Sequence, residues 1–261
     1  MTSTNQVPLD CVVRVGTHRP LVVSLEDAVR VVVAYGWQTI AGSPVGATNP
    51  YKFAWHSYDT VLRGYPDVIE AAVYASVGLN SDMGARAILN VLAAHRDGAI
   101  PLLDEKVPFW GMDRSKLVTD PQDESPEGKL WAFYNAFKGR LENGVRVGGI
   151  DGVGTAGYSK TGHHAFPAQM PLVDSIVLKF WSGNKLWEEL YDQLQEYEKW
   201  LVELERLVES YRQRYQHGDG VSINRLRAID ILLWVKGSRQ WDEAVNAGHH
   251  LLDVGPPLTE W

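Results

Sequence analysis

Five glycines, Gly148, Gly149, Gly152, Gly154 and Gly157, fall within ten residues of this sequence. Glycine inside a regular helix costs about 1 kcal/mol per position, so the stretch predicts a turn. Ile150 precedes Gly152-Val153-Gly154, and a segment able to start a helix follows at Thr155, a residue type suited to N-capping. In such a turn the N–H groups of Gly152, Gly154 and Ala156 point outward, and amides at a helix start bind an anion without any basic side chain. A phosphate is the expected guest. Twenty residues beyond Gly154, after Pro167 and Pro171, Asp174 stands in the apolar context Leu172-Val173-Asp174-Ser175-Ile176-Val177. An acid so placed is either a helix N-cap or a carboxylate held at a pocket wall, and the two roles are compatible.

Ile150-Asp151-Gly152-Val153-Gly154-Thr155-Ala156 resembles the hairpin of the helix-hairpin-helix DNA glycosylase superfamily, usually Leu-Pro-Gly-Val-Gly followed by a helix. Pro171-Leu172-Val173-Asp174 is similar to the Pro-Val-Asp that carries the catalytic aspartate there, and the pattern is nearest the 8-oxoguanine DNA glycosylase-like branch. The resemblance implies that the carbonyls of Gly148, Ile150 and Val153 hold a structural Na+ or K+, with no other cofactor, while the amides of Gly152, Gly154 and Ala156 grip a DNA phosphate. It also implies that Asp174 stabilises the oxocarbenium-like sugar or activates water as the base leaves. Bifunctional members carry a lysine nucleophile directly after Gly-Val-Gly-Thr. That position here is Ala156, and Lys160, one helical turn on, is a poor substitute, so no Schiff base is expected. Two positions depart from the pattern: Asp151 stands where proline is usual, and Ile176 where a phosphate-binding histidine is often found.

The elements that would position these groups are helical. An extended segment is expected over residues 11–15, then a helix capped by Ser24 and running to about Tyr35, with a strand as the alternative for Val31-Val32-Val33. Residues 38–54 read as a loop surrounded by Trp37, Tyr51, Phe53, Trp55 and Tyr58, a cluster suited to core packing or to lining a base pocket. Helices are expected from Pro66 to near Gly78, from Asp82 to His95, from Ile100 to Val107 and from Gly128 to Leu141, with an acidic loop over 108–128 and Asn80 as a turn residue or, alternatively, a DNA wedge.

Beyond the aspartate, apolar residues recur every three or four positions from Lys185 to about Gln216, one face of a helix long enough to bend, to fold into a helical hairpin or to pair with a second copy. A final main helix, capped by Ser222, covers Ile223 to Val235. On it Asp230 and Trp234, one turn apart, are placed either to meet a flipped base or to serve as a salt-bridged aspartate and a core tryptophan. Helices, hairpin, aspartate and further helices follow one another in the superfamily's order. That order implies a mainly α, helix-hairpin-helix glycosylase-like fold of two helical lobes around a cleft, with an N-terminal segment over 1–65 packing on a body over 66–261.

A chain of 261 residues, 45% hydrophobic and 22% charged, can bury a sizeable core. The single cysteine, Cys11, excludes a disulfide framework, a four-cysteine zinc site and a four-cysteine iron–sulfur cluster. His163 and His164 are adjacent and so diverge on a helix, which favours packing or a phosphate-side role over a metal site. No Walker loop, serine-triad signature or dinucleotide fingerprint is present. No apolar run is long enough for a membrane span, and a soluble, cytoplasmic monomer is expected. The net charge of −7 and pI of 5.6 argue against broad phosphate neutralisation, although much of the acid lies over 120–127 and on the long helix, away from the glycine turn.

The expected activity is a monofunctional DNA N-glycosylase that flips out a damaged or modified base and leaves an abasic site. A hypermodified phage base, such as glucosylated hydroxymethylcytosine, would make it a defence enzyme. The alternatives are a non-catalytic helix-hairpin-helix DNA-binding module, in which Asp174 is only a cap, and a helical interaction protein.

Overall fold

The computed structural model describes residues 7–37, 85–101, 103, 107–117, 125–143, 145–182, 185–215 and 223–254. Strands β1 (Val12–Val15) and β2 (Leu21–Ser24) pair antiparallel, with Val12 opposite Ser24 and Val15 opposite Leu21. Their alternation puts Val13, Val15, Leu21 and Val23 into the core. Helix α1 (Leu25–Trp37) follows at once, because the Ser24 Oγ accepts from the Asp27 N–H at 3.1 Å and stops the strand. Val31, Val32 and Val33 are buried within this helix, so its burial decides the helix-or-strand choice that their β-branching leaves open.

Next come α2 (Ala85–Arg96) and two single 3₁₀ turns, at Phe109–Gly111 and Arg114–Lys116. The described residues of the stretch expected to be helical over 100–107 lie outside any helix. Helix α3 (Pro126–Lys138) starts two residues earlier than its apolar pattern suggests. Ser125 accepts from the Gly128 N–H at 3.2 Å and Pro126 takes the first helical position, where a missing N–H costs nothing. It ends at Lys138 rather than Leu141, because Gly139 adopts φ 73° as the cap. The chain then forms an antiparallel ribbon of β3 (Arg140–Glu142) and β4 (Val145–Val147) that the sequence reading does not contain.

Helix α4 (Thr155–Ala165) follows the glycine loop, and a 3₁₀ turn at Val177–Phe180 follows Asp174. The long amphipathic stretch is two helices, α5 (Leu186–Glu196) and α6 (Glu198–Tyr215), broken at Tyr197 with φ −104° and ψ 20°. Helix α7 (Arg225–Gly237) is capped by Asn224, whose Oδ1 accepts from the Arg227 N–H at 3.0 Å, and not by Ser222. It is not the final helix: α8 (Trp241–Val254) follows.

The protein is mainly α. Its core runs through α1, α6 and α7, and α7 buries Leu226, Ala228, Ile229, Ile231, Leu232, Leu233 and Val235 on all sides. Each such aliphatic side chain contributes about 1.5–3 kcal/mol by leaving water. The β1–β2 turn is pinned to the body, with Phe180 O accepting from the Thr17 and His18 N–H groups and Gln193 bonding Gly16 through both ends of its amide. Trp200 Nε1 donates to Cys11 O at 3.2 Å. No helix among the described residues is long and apolar enough to cross a membrane. The expected loop over 38–54, the helix from Pro66, and Asn80 and Ser222 lie outside the described residues.

Candidate phosphate loop and carboxylate

The glycine loop is seated on the end of α3. Ile150 N–H donates to Phe137 O at 2.9 Å, and the backbones meet so closely that a Cβ added to Gly149 would lie 2.7 Å from Gly139 N. Gly148, Gly149 and Gly152 have φ of 70°, 88° and 82°, the left-handed region in which glycine alone is unstrained. On its other side the loop rests on α2, where Asn90 Nδ2 donates to Asp151 O at 2.9 Å and Arg86 pairs with the Asp151 carboxylate at 3.5 Å. Asp151, at the expected hairpin proline, is thus an exposed partner of α2.

Gly154 caps α4, with φ −81° and ψ 177°, and Thr155 is the first helical residue rather than the cap. The shift does not remove the donors. Tyr158 N–H closes the first turn onto Gly154 O at 3.1 Å, and the N–H groups of Gly152, Gly154 and Ala156 have no acceptor among the described residues. Gly152 and Gly154 border a cleft of about 410 Å³ lined by Gly148 to Thr155, Phe137 and Lys138, and Ala156 lies one residue beyond its lining. Lys138 was not singled out by the sequence reading. Its ammonium donates to the Tyr134 hydroxyl and lies 4.8 Å from that ring's centre, which holds a cation at the cleft wall. A lysine in the last turn of the helix before a glycine loop was the available signal.

The segment that ends at Asp174 is tied to α4, the helix into which this loop leads. Ser159 Oγ donates to Val173 O at 2.7 Å, and His163 Nδ1–H donates to Met170 O at 2.8 Å. Residues four apart lie on one helix face, so the two side chains clamp the segment 170–173 along α4 and end it at Asp174. Asp174 Oδ1 accepts from the Ile176 and Val177 N–H groups at 2.8 and 2.9 Å. It caps the 3₁₀ turn at Val177–Phe180, while its other oxygen has no partner among the described residues and is not sealed from solvent.

The other expected positions are placed differently. Asp230 is buried, 3% exposed, and paired with Arg227, whose other guanidinium nitrogen donates to the Tyr35 hydroxyl at 2.6 Å. That is the salt-bridged alternative of the two open from sequence. Trp234 is half-buried and meets Tyr35 edge to face at 6.1 Å. Trp55 lies outside the described residues. Of the three carbonyls implied for a monovalent cation, Ile150 O accepts from Val153 N–H at 3.2 Å and Gly148 O lies against Gly139. Two of the three oxygens already have protein neighbours, and no step below depends on that ion.

His163 is fully buried, and burial first, then the Arg227 guanidinium, lowers its pKa to about 3. It is therefore a neutral packing and clamping residue. Among the described residues no group of three or more His, Cys, Asp or Glu is placed to hold a metal ion.

The chain belongs to DUF6308, a family of unknown function. The family model matches residues 39–237, which takes in the glycine loop, α4 and Asp174 and stops ahead of α8. No curated protein and no solved structure matches this DUF6308 chain.

Proposed function

We propose that this DUF6308 protein is a monofunctional DNA N-glycosylase of the helix-hairpin-helix type, its helices forming two lobes around a base-accepting cleft. The observation that supports the reading is the Ser159–Val173 bond, which ties the segment ending at Asp174 to α4, the short helix into which the loop of unbonded amides leads. The amides of Gly152, Gly154 and Ala156 take a backbone phosphate, with Lys138 adding a cation at the cleft wall. The free oxygen of Asp174 faces the positive charge that develops on the deoxyribose. As the C1′–N bond breaks, its electron pair and a proton go to the departing base. Water then supplies hydroxide to C1′ and leaves an abasic site.

With Ala156 at the position of the lysine nucleophile, no imine forms there and the strand stays intact. Extruding the base costs a few kcal/mol and costs least where pairing is weak, so a lesion or bulky modified base is the substrate class, a hypermodified phage base included. The protein acts as a monomer in the cytoplasm.

Alkaline cleavage of end-labelled DNA tests this across damaged, mismatched and hypermodified substrates, with wild type and Asp174→Asn compared. Strand cleavage that needs both Asp174 and alkali is the expected result. Cleavage without alkali would transfer the chemistry to an amine such as that of Lys160. Because Asp174 is also a cap, DNA binding without cleavage on any substrate, unchanged in Asp174→Asn, would favour the non-catalytic module instead.

A further inference from the structure

The β3–β4 ribbon has no role in the site as described, yet it runs directly into it. Its strands are joined by Asn143-Gly144, and Asn143 has φ 50°, the left-handed conformation that the tight hairpin turn demands. The register places Arg140 opposite Val147 and Glu142 opposite Val145, so these four side chains share one face, and all four are exposed. Val145 is 65% and Val147 42% exposed, the apolar half of a surface whose other half is the Arg140–Glu142 ion pair. At the ribbon's base the Gly139 and Gly149 backbones touch, so residues 140–147 form an excursion between the end of α3 and the glycine loop. The flanking sequence is basic: residues 128–165 hold Lys129, Lys138, Arg140, Arg146 and Lys160 against Glu142 and Asp151, in a chain whose net charge is −7.

We propose that this ribbon enters a groove of duplex DNA beside the phosphate held by the glycine loop, so that the partner of the site is a double strand. A two-stranded ribbon fits the major groove, where a valine can meet a thymine methyl and an arginine can reach phosphate or a base edge. The ribbon's continuity with the amide loop and the local excess of cations name this occupant. A protein partner would have no need of the phosphate loop beside it. The ribbon's role rests on the DNA reading given above.

Fluorescence anisotropy decides it, using a duplex with a central abasic-site analogue and the matching single strand, over a range of salt. Arg140→Gln is expected to weaken duplex binding several-fold and to reduce the salt slope by about one phosphate contact. Glu142→Gln is expected to tighten binding several-fold, because an anion facing the phosphates is removed. If the Arg140–Glu142 pair served only to brace the ribbon, both substitutions would shift affinity the same way. Replacing residues 140–147 by a short glycine link, with folding checked by circular dichroism, is expected to bring duplex affinity down to single-strand level. Shifts in one direction for both substitutions, or unaltered duplex binding after excision, would overturn the ribbon's role and leave the glycosylase reading standing. Failure of the wild type to bind either probe would overturn both.

Discussion

At the residue scale, the proposed function gives Asp174 two separable duties. One oxygen accepts two backbone N–H groups, and the other is open. Asp174→Asn keeps an acceptor for the cap and removes the charge. It should change stability by less than about 1 kcal/mol while lowering base excision by roughly 10²-fold or more. Asp174→Ala removes the cap as well and should cost about 1 kcal/mol in urea denaturation. Equal activity of wild type and Asp174→Asn would strip the carboxylate of its chemical role.

His163 yields a prediction in pH. Its folded pKa of about 3 lies below the ordinary 6.5, so between those values the unfolded chain binds a proton that the folded one refuses. The stability it contributes is complete above about pH 6.5 and falls as the solution is acidified toward pH 3. The loss approaches the order of 4 kcal/mol at the acid end. A His163→Leu protein should start less stable, having lost the bond to Met170 O, but its stability should fall less steeply over that window. Parallel pH–stability curves for the two proteins would show that the buried imidazole is not the titrating group. The neighbouring Arg227 and Asp230 are present in both, so the difference between the curves isolates His163.

At the element scale, the glycine loop makes a graded prediction. Gly148 and Gly149 both have positive φ, but a Cβ on Gly148 would meet nothing within 4 Å, whereas on Gly149 it would lie 2.7 Å from Gly139 N and 2.8 Å from Lys138 C. Gly148→Ala should therefore cost only the left-handed strain, about 1–2 kcal/mol. Gly149→Ala should cost more, about 2–4 kcal/mol, and should reduce DNA binding with it because the amides move off the end of α3. Similar costs for the two substitutions, read from thermal melts, would mean that the loop is not seated there. The same elements show how far the sequence could be read. The turn, the helix after it and Asp174 were legible, because glycine density and a capping acid are local signals. The cap shifted from Thr155 to Gly154 because a β-region glycine can hold that position and leave Thr155 as the first helical residue. Asn143-Gly144 announces the ribbon, but the apolar pattern of α3 continues to Leu141 and hides the glycine that ends the helix. The break at Tyr197 left no mark in the periodicity, since both helices keep the same apolar spacing. Asp230 could not be resolved because its partner, Arg227, is three residues away on the same helix, and only burial tells an internal pair from a pocket acid.

At the scale of the whole molecule, the region that defines the family stops at residue 237, and the two helices described outside it, one on either side, pack together. Helix α1 comes from the N-terminal side and α8 from the C-terminal side, and α8 closes over α1 while α1 also packs on α6 and α7. The contact is at backbone distance: a Cβ on Gly248 would lie 2.0 Å from Arg30 O and 2.4 Å from Arg30 C. No side-chain rotation can relieve a clash with a helix backbone, so the two helices would have to separate along their length. Separation would uncover Val31 and Ala34, which flank the Arg30 carbonyl on α1, and Ala244 and Leu251 on α8, all of them buried. Gly248→Ala should therefore destabilise the protein by about 2–4 kcal/mol, although alanine is the better helix former by about 1 kcal/mol at an open position. The loss should appear as a single cooperative transition in chemical denaturation at a lower midpoint, because α1 shares its core with α6 and α7 and cannot release α8 alone. A separate early transition would instead mean that α8 is a detachable strap. Wild-type stability in Gly248→Ala would mean that α8 does not lie on α1 at this register.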